Sequence, residues 1–144
     1  MQDLKGVILL VGIGLLLCGC GSKGPNLVPV RGEITWDGGP WPKPGTLSIV
    51  PAEADAGVPR RPASADFDTE GKFAVTTFTP GDGLLPGKYR IGVNCWEVPM
   101  TMANPAPGKN AAPLKYRSPE TSGLELTVEA GKSLTGLQLD VPKN

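Results

Sequence analysis

Asp66, Asp68 and Glu70 stand at alternate positions ahead of Gly71, the spacing at which a calcium loop presents oxygen ligands before its sharp turn. The position where such a loop needs a bidentate glutamate is Thr77, so the ligand set is incomplete. Phe67 and Phe73 flank the acids with strand parity, which makes the three carboxylates an outward face and a hairpin tip. Used instead as an acid/base pair, they would need a cleft and a raised pKa. The chain has no histidine, which removes Ser-His-Asp and Cys-His catalysis and most transition-metal sites. No catalytic residue, cofactor or metal is expected, with Asp66, Asp68 and Glu70 the weak metal candidates.

Aromatic residues offer a second chemistry. Trp36 and Trp41 bracket the Asp37 turn and could stack on sugar rings, but Trp36 continues a buried parity and core or edge packing of the pair is the expected arrangement. Trp96 falls opposite in parity to Val93 and Cys95 and is the expected exposed aromatic, a candidate contact patch unless the Pro99 loop covers it. Cys95 shares parity with Tyr89, Ile91 and Val93, as a small buried residue does.

These residues must be held by strands, because no 3.6-residue apolar period persists beyond the first twenty residues. Val28, Val30, Ile34 and Trp36 repeat with period two, and Leu47 and Ile49 do so within 46–50. Segments 63–68 and 72–78 flank Thr69-Glu70-Gly71 as a hairpin. Segment 88–98 is the longest strand candidate, and 124–129 and 134–141 are expected to pair across Ala130-Gly131-Lys132. Four prolines and two asparagines between 99 and 113 predict a mobile excursion. The fold class is all-β: a single antiparallel sandwich of about seven strands with Greek-key connections.

The chain opens differently. Behind Lys5 lies an eleven-residue apolar run, Val7 to Leu17, closed by Cys18-Gly19-Cys20. As a helix it would span about 16 Å, short of the ~30 Å hydrocarbon core, which is the reading of a cleaved signal peptide. The closing residues resemble the bacterial lipobox, with Leu17 three before the cysteine, Gly19 one before it, and Cys20 as the acceptor. The resemblance implies that Cys20 becomes thioether-linked to diacylglycerol and then acylated. The expected organisation is a leader at 1–19, a lipidated cysteine and tether at 20–26, and one β domain at 27–144. The protein would sit on the cell membrane or outer membrane, facing periplasm or exterior; Gly21, where some retention signals place Asp, favours the outer membrane.

Without the leader, 125 residues remain, enough for one core, with 13 basic and 13 acidic side chains. Neutrality without a basic cluster argues against nucleic acid as a partner. Gly and Pro number 20 and 16, a level at which disorder competes, but the alternating segments decide against it. Cys95 would be the one remaining thiol, so an internal disulfide is not expected.

Three stretches, Val30-Arg31-Gly32-Glu33-Ile34 with Asp37-Gly38-Gly39-Pro40, then Asp68-Thr69-Glu70-Gly71-Lys72-Phe73, then Pro86-Gly87-Lys88-Tyr89-Arg90-Ile91-Gly92-Val93, together resemble carboxypeptidase regulatory-like domains. The resemblance implies a transthyretin-like sandwich over roughly residues 28 to 98, finished by the last two strands. It transfers no catalytic residue, and so implies a non-enzymatic accessory module of the envelope with protein or polysaccharide partners. A carbohydrate- or calcium-dependent adhesion module and a carboxylate-based enzyme are the alternatives.

Overall fold

The computed structural model describes residues 24–53, 61–105 and 108–143. The expected leader at 1–19 and Cys20 lie outside the described residues. The chain is mostly β: β1 (Val30–Trp36), β2 (Gly45–Pro51), β3 (Ala63–Phe67), β4 (Lys72–Ala74), β5 (Gly87–Asn94), β6 (Trp96–Val98), β7 (Lys109–Asn110), β8 (Leu124–Val128) and β9 (Leu134–Val141). Among the described residues the α-helix is a single turn, α1 (Pro119–Ser122), stopped by Gly123 in the left-handed conformation.

Seven strands form one sheet in the order β8-β5-β2-β3-β4-β1-β9, which curls until it nearly closes into a barrel. Period-two alternation produces its interior. Leu47 stands opposite Ala65 on one side and Val93 on the other, and Ile49 stands opposite Ala63 and Ile91. All six are buried. The large residues of β2 thus fill the space that alanines on β3 leave, the size alternation a tightly curved sheet needs. Phe67, paired with Phe73, and Tyr89, Leu126 and Val128 continue the same interior.

The expected hairpin across Thr69-Glu70-Gly71 is present as β3 and β4. Gly71 has φ +86°, and a Cβ there would overlap the backbone of Ile34, so the tip takes glycine for two reasons. The expected closing hairpin is absent. β8 pairs antiparallel with β5, β9 pairs parallel with β1, and the two strands become opposite edges of the sheet. Pairing them with each other would leave the outer sides of β1 and β5 with unmet amide and carbonyl groups, whereas the observed arrangement satisfies both. The sheet is therefore mixed, not wholly antiparallel.

The parallel pairing rests on Gly32. The register of β1 against β9 shifts between Val30 and Gly32, and a Cβ on Gly32 would overlap the carbonyl of Leu137. The excursion expected to be mobile from 99 to 113 is anchored in its second part. Lys109 and Asn110 form β7 against β6, and Ala112 is fully buried. Asn110 Oδ1 accepts hydrogen bonds from Cys95 N and Ala112 N, both at 3.0 Å, and Nδ2 donates to Asn94 Oδ1 at 3.0 Å. Arg117 holds the same stretch by donating to Ala112 O at 2.8 Å and Asn110 O at 3.1 Å. Side-chain hydrogen bonds here replace the apolar anchors that the segment lacks.

The close approach at Gly32 yields a test. Gly32→Ala is expected to destabilise the domain by about 1–3 kcal/mol through overpacking. Gly136→Ala, on β9 with open space around its Cα, is expected to stay within about 0.5 kcal/mol. Urea unfolding of the two variants beside wild type measures the difference.

Candidate functional site

The curled sheet has two ends. One carries Trp36, the Asp37 turn, Trp41, the Thr69–Gly71 tip and the exit of β5; the other carries Val28, Pro29, Gly87 and the link 129–133.

At the first end the two tryptophans meet, with ring centroids 5.9 Å apart and planes at 18°. They do not form an open platform. Trp41 is 3% exposed, tilts onto Phe67 at 4.9 Å, and its Nε1 donates to Ile34 O at 2.9 Å. Trp41 N donates to Thr69 O, so the residue ties the Asp37 turn to the β3–β4 tip. Trp36 is half-buried, with the Lys143 ammonium 4.6 Å from its ring centroid. Its Nε1 is enclosed without an acceptor, an uncompensated burial that costs about 1–3 kcal/mol. Both indoles are therefore engaged in packing.

Asp66, Asp68 and Glu70 are all exposed and turn to separate local partners. Asp66 accepts from Thr46 Oγ1 at 3.1 Å, Asp68 accepts from Lys72 N at 2.9 Å, and Glu70 pairs with Lys72 Nζ at 3.0 Å. Glu70, joined by Asp68 and Glu33, raises the pKa of Lys72. No group of three or more acidic or thiol side chains converges as a metal site among the described residues. Glu70 and Lys72 form an exposed ion pair beside Glu33 at an open surface depression, while Asp66 and Asp68 are held by hydrogen bonds from Thr46 and the Lys72 amide.

Cys95 is buried and free, and its Sγ lies 3.2 Å from Lys43 O. Burial, with Glu97 adding to it, pushes the thiol pKa up against the opposing effect of that contact, which favours the protonated form. Trp96 is 43% exposed, as its parity indicates.

The carboxylates the fold does use are Asp82 and Asp140, neither singled out by the sequence. Asp82 accepts from the backbone amides of Thr77 at 2.7 Å, Thr79 at 2.8 Å and Phe78 at 2.9 Å. Desolvation alone would raise its pKa, but these amides together outweigh it and hold the carboxyl below its ordinary value. Asp140 is lowered chiefly by the Thr35 hydroxyl, 2.6 Å away, and by Gly38 N at 2.9 Å. The Pro80-Gly81-Asp82-Gly83 run is a sequence signal for the first; the second is a contact across 102 positions that no local pattern announces.

Comparison with protein families, curated proteins and solved structures finds no match.

Two outcomes test this site. Trp36→Phe removes a donor without an acceptor and is expected to stay within about 1 kcal/mol of wild type, whereas Trp41→Phe strands Ile34 O and costs about 1–3 kcal/mol by urea unfolding. Asp82 and Asp140 bind protons more weakly folded than unfolded, so their contribution is complete above the unfolded pKa of about 4 and is lost as pH falls through the lower folded values. The Asp82→Asn/Asp140→Asn variant is expected to show a flatter loss of Tm below about pH 4.

Proposed function

We propose that this chain is a lipid-anchored, non-catalytic accessory module of the bacterial cell envelope. The observation that carries the reading is Leu17-Cys18-Gly19-Cys20 closing an eleven-residue apolar run. Each buried methylene of an acyl chain contributes about 0.8 kcal/mol, so a multiply acylated Cys20 holds a protein at a bilayer without a spanning helix. Among the described residues no helix is long and apolar enough to cross a membrane. Residues 24–26, exposed and outside the strands, are a suitable end for the tether.

The domain is taken as a variant of the carboxypeptidase regulatory-like, transthyretin-like sandwich. In support, the three stretches that carry the resemblance fall on strand and turn units of a mostly β domain, β1 with its turn, the β3–β4 hairpin and β5. Asp66, Asp68 and Glu70 turn to separate local partners and the tryptophan pair is engaged in packing, which favours an accessory role over catalysis or glycan stacking.

Intact mass and membrane fractionation of wild type beside Cys20→Ala test the anchor. Wild type is expected to lose residues 1–19, gain acyl mass and pellet with membranes, while the variant gains no acyl mass and leaves the pellet. Equal behaviour of the two removes the anchor. A rise in Tm with calcium, or a glycan-dependent shift in tryptophan emission, would replace the accessory role with an adhesion module.

A further inference from the structure

Beyond β5 the chain runs out into an arm, β6 followed by a turn and β7, that is separate from the main sheet. Trp96, Val98, Met100 and Met102 occupy alternate positions along it and are 43%, 44%, 62% and 103% exposed. Two other large apolar side chains are exposed among the described residues, and one of them, Phe78, has the Arg61 guanidinium 5.4 Å from its ring centroid. These four concentrate exposed apolar surface on one arm, although a register shift between Trp96 and Val98 interrupts the strict alternation of faces.

Three features of the arm bear on its occupant. The sequence has no charged residue from Val98 to Gly108. The charges that bound this stretch, Glu97 and Lys109, pair with each other at 2.6 Å, which neutralises the arm at its base. In the turn, Thr101 N donates to Asn104 O at 3.1 Å and Asn104 N donates to Thr101 O at 3.0 Å, so these amides and carbonyls are mutually paired. Hydrocarbon excludes charge, and the pairing of Thr101 with Asn104 lowers, without removing, the cost of setting the turn's backbone beside it. The core of a protein interface is likewise depleted of charge, so what favours the bilayer as occupant is its nearness to a chain anchored in it.

We propose that this arm dips into the outer layer of a phospholipid bilayer, with the Trp96 indole at headgroup level and Met100 and Met102 among the first acyl carbons. Indoles favour that depth, and methionine adapts to disordered chains. The inference rests on the proposed anchor for the nearness of a bilayer, and adds a second attachment to it. The tether enters at the Pro29 end of the sheet and the arm leaves from the opposite end, where β5 finishes. Contact at both places lays the domain on its side. Six residue spacings from Cys20 to Asn26 reach at most about 20 Å, comparable to the ~20 Å rise of β1, which leaves the domain free to lie down.

The test uses the full chain, processed in its own host, purified in detergent and reconstituted into phosphatylethanolamine/phosphatidylglycerol vesicles with or without brominated acyl chains. Trp96→Phe and the doubly substituted Met100→Lys/Met102→Lys, both at exposed positions, are run in parallel. Bromine is expected to quench wild-type tryptophan emission, and both variants are expected to lose that quenching. Equal emission with and without bromine, from protein held in the vesicles by its acyl chains, overturns the insertion and leaves the anchor standing. Quenching in a chain whose mass shows no acyl group supports the arm and removes the anchor. Quenching that persists in Trp96→Phe, or Trp96 shielding that follows protein concentration instead of bromination, overturns the proposal, the latter in favour of contact with a second copy.

Discussion

The approach of β9 to β1 at Gly32 is the contact on which the rest of the sheet depends. A side chain at this position would meet the Leu137 carbonyl, so the last strand can lie parallel to the first only because the first offers bare backbone there. With β9 seated, β1 has hydrogen-bonded neighbours on both sides, β4 and β9, and the sheet curls until its edge strands come near each other. Near-closure encloses Ile34, Leu47, Phe67 and Ile91 from all sides without a second layer of helices. The short link 129–133 serves this geometry, since it must deliver the chain from one edge of the sheet to the other.

A second set of interactions holds the ends. Ile34 is the junction: its N–H donates to Gly71 O and its carbonyl accepts from Trp41 Nε1, while Trp41 N reaches Thr69 O. The Asp37 turn and the β3–β4 tip are thereby fastened to one residue of β1. Asp140 pins the same turn through Gly38 N, and at the other side of the molecule Asp82 gathers three successive amides of 77–79. Asp82 and Asp140 act as turn-formers, accepting from backbone amides that short links between strands leave without a ladder partner.

What could be read from the sequence was whatever is local. Alternation located β1, β2 and β5, the parity of Phe67 and Phe73 turned the three acids outward, and Cys95 and Trp96 fell on opposite faces as their spacing requires. Partner choice was not legible. Segments 124–129 and 134–141 read as a hairpin because the short link through Ala130-Gly131-Lys132 suits one; the decision between that hairpin and two separate edges lies in the unfilled sides of β1 and β5, remote in sequence. The anchoring of 108–113 was hidden for a related reason. Its composition lacks apolar anchors, and the hydrogen bonds that Asn110 makes to Asn94 and Cys95 belong to no periodic pattern. For the candidate site, the exposed Trp96, the outward acids and the packing of the tryptophan pair were foreseeable, while the acceptor that Ile34 O offers Trp41 Nε1 is supplied by the fold.

The parallel pairing of β1 and β9 also sets how the domain bears load. β1 begins at one end of the sheet and β9 finishes at the other, with Val30 beside Leu134 and Trp36 beside Val141. Tension between whatever precedes Val30 and whatever follows Val141 would draw the two strands along their length in opposite directions. Their hydrogen bonds would then be strained together, in shear, and not opened one after another like a zip. A domain tethered by its leading end and pulled from its trailing end would therefore resist as a mechanical clamp, with Gly32 at the point where the two strands grip most closely.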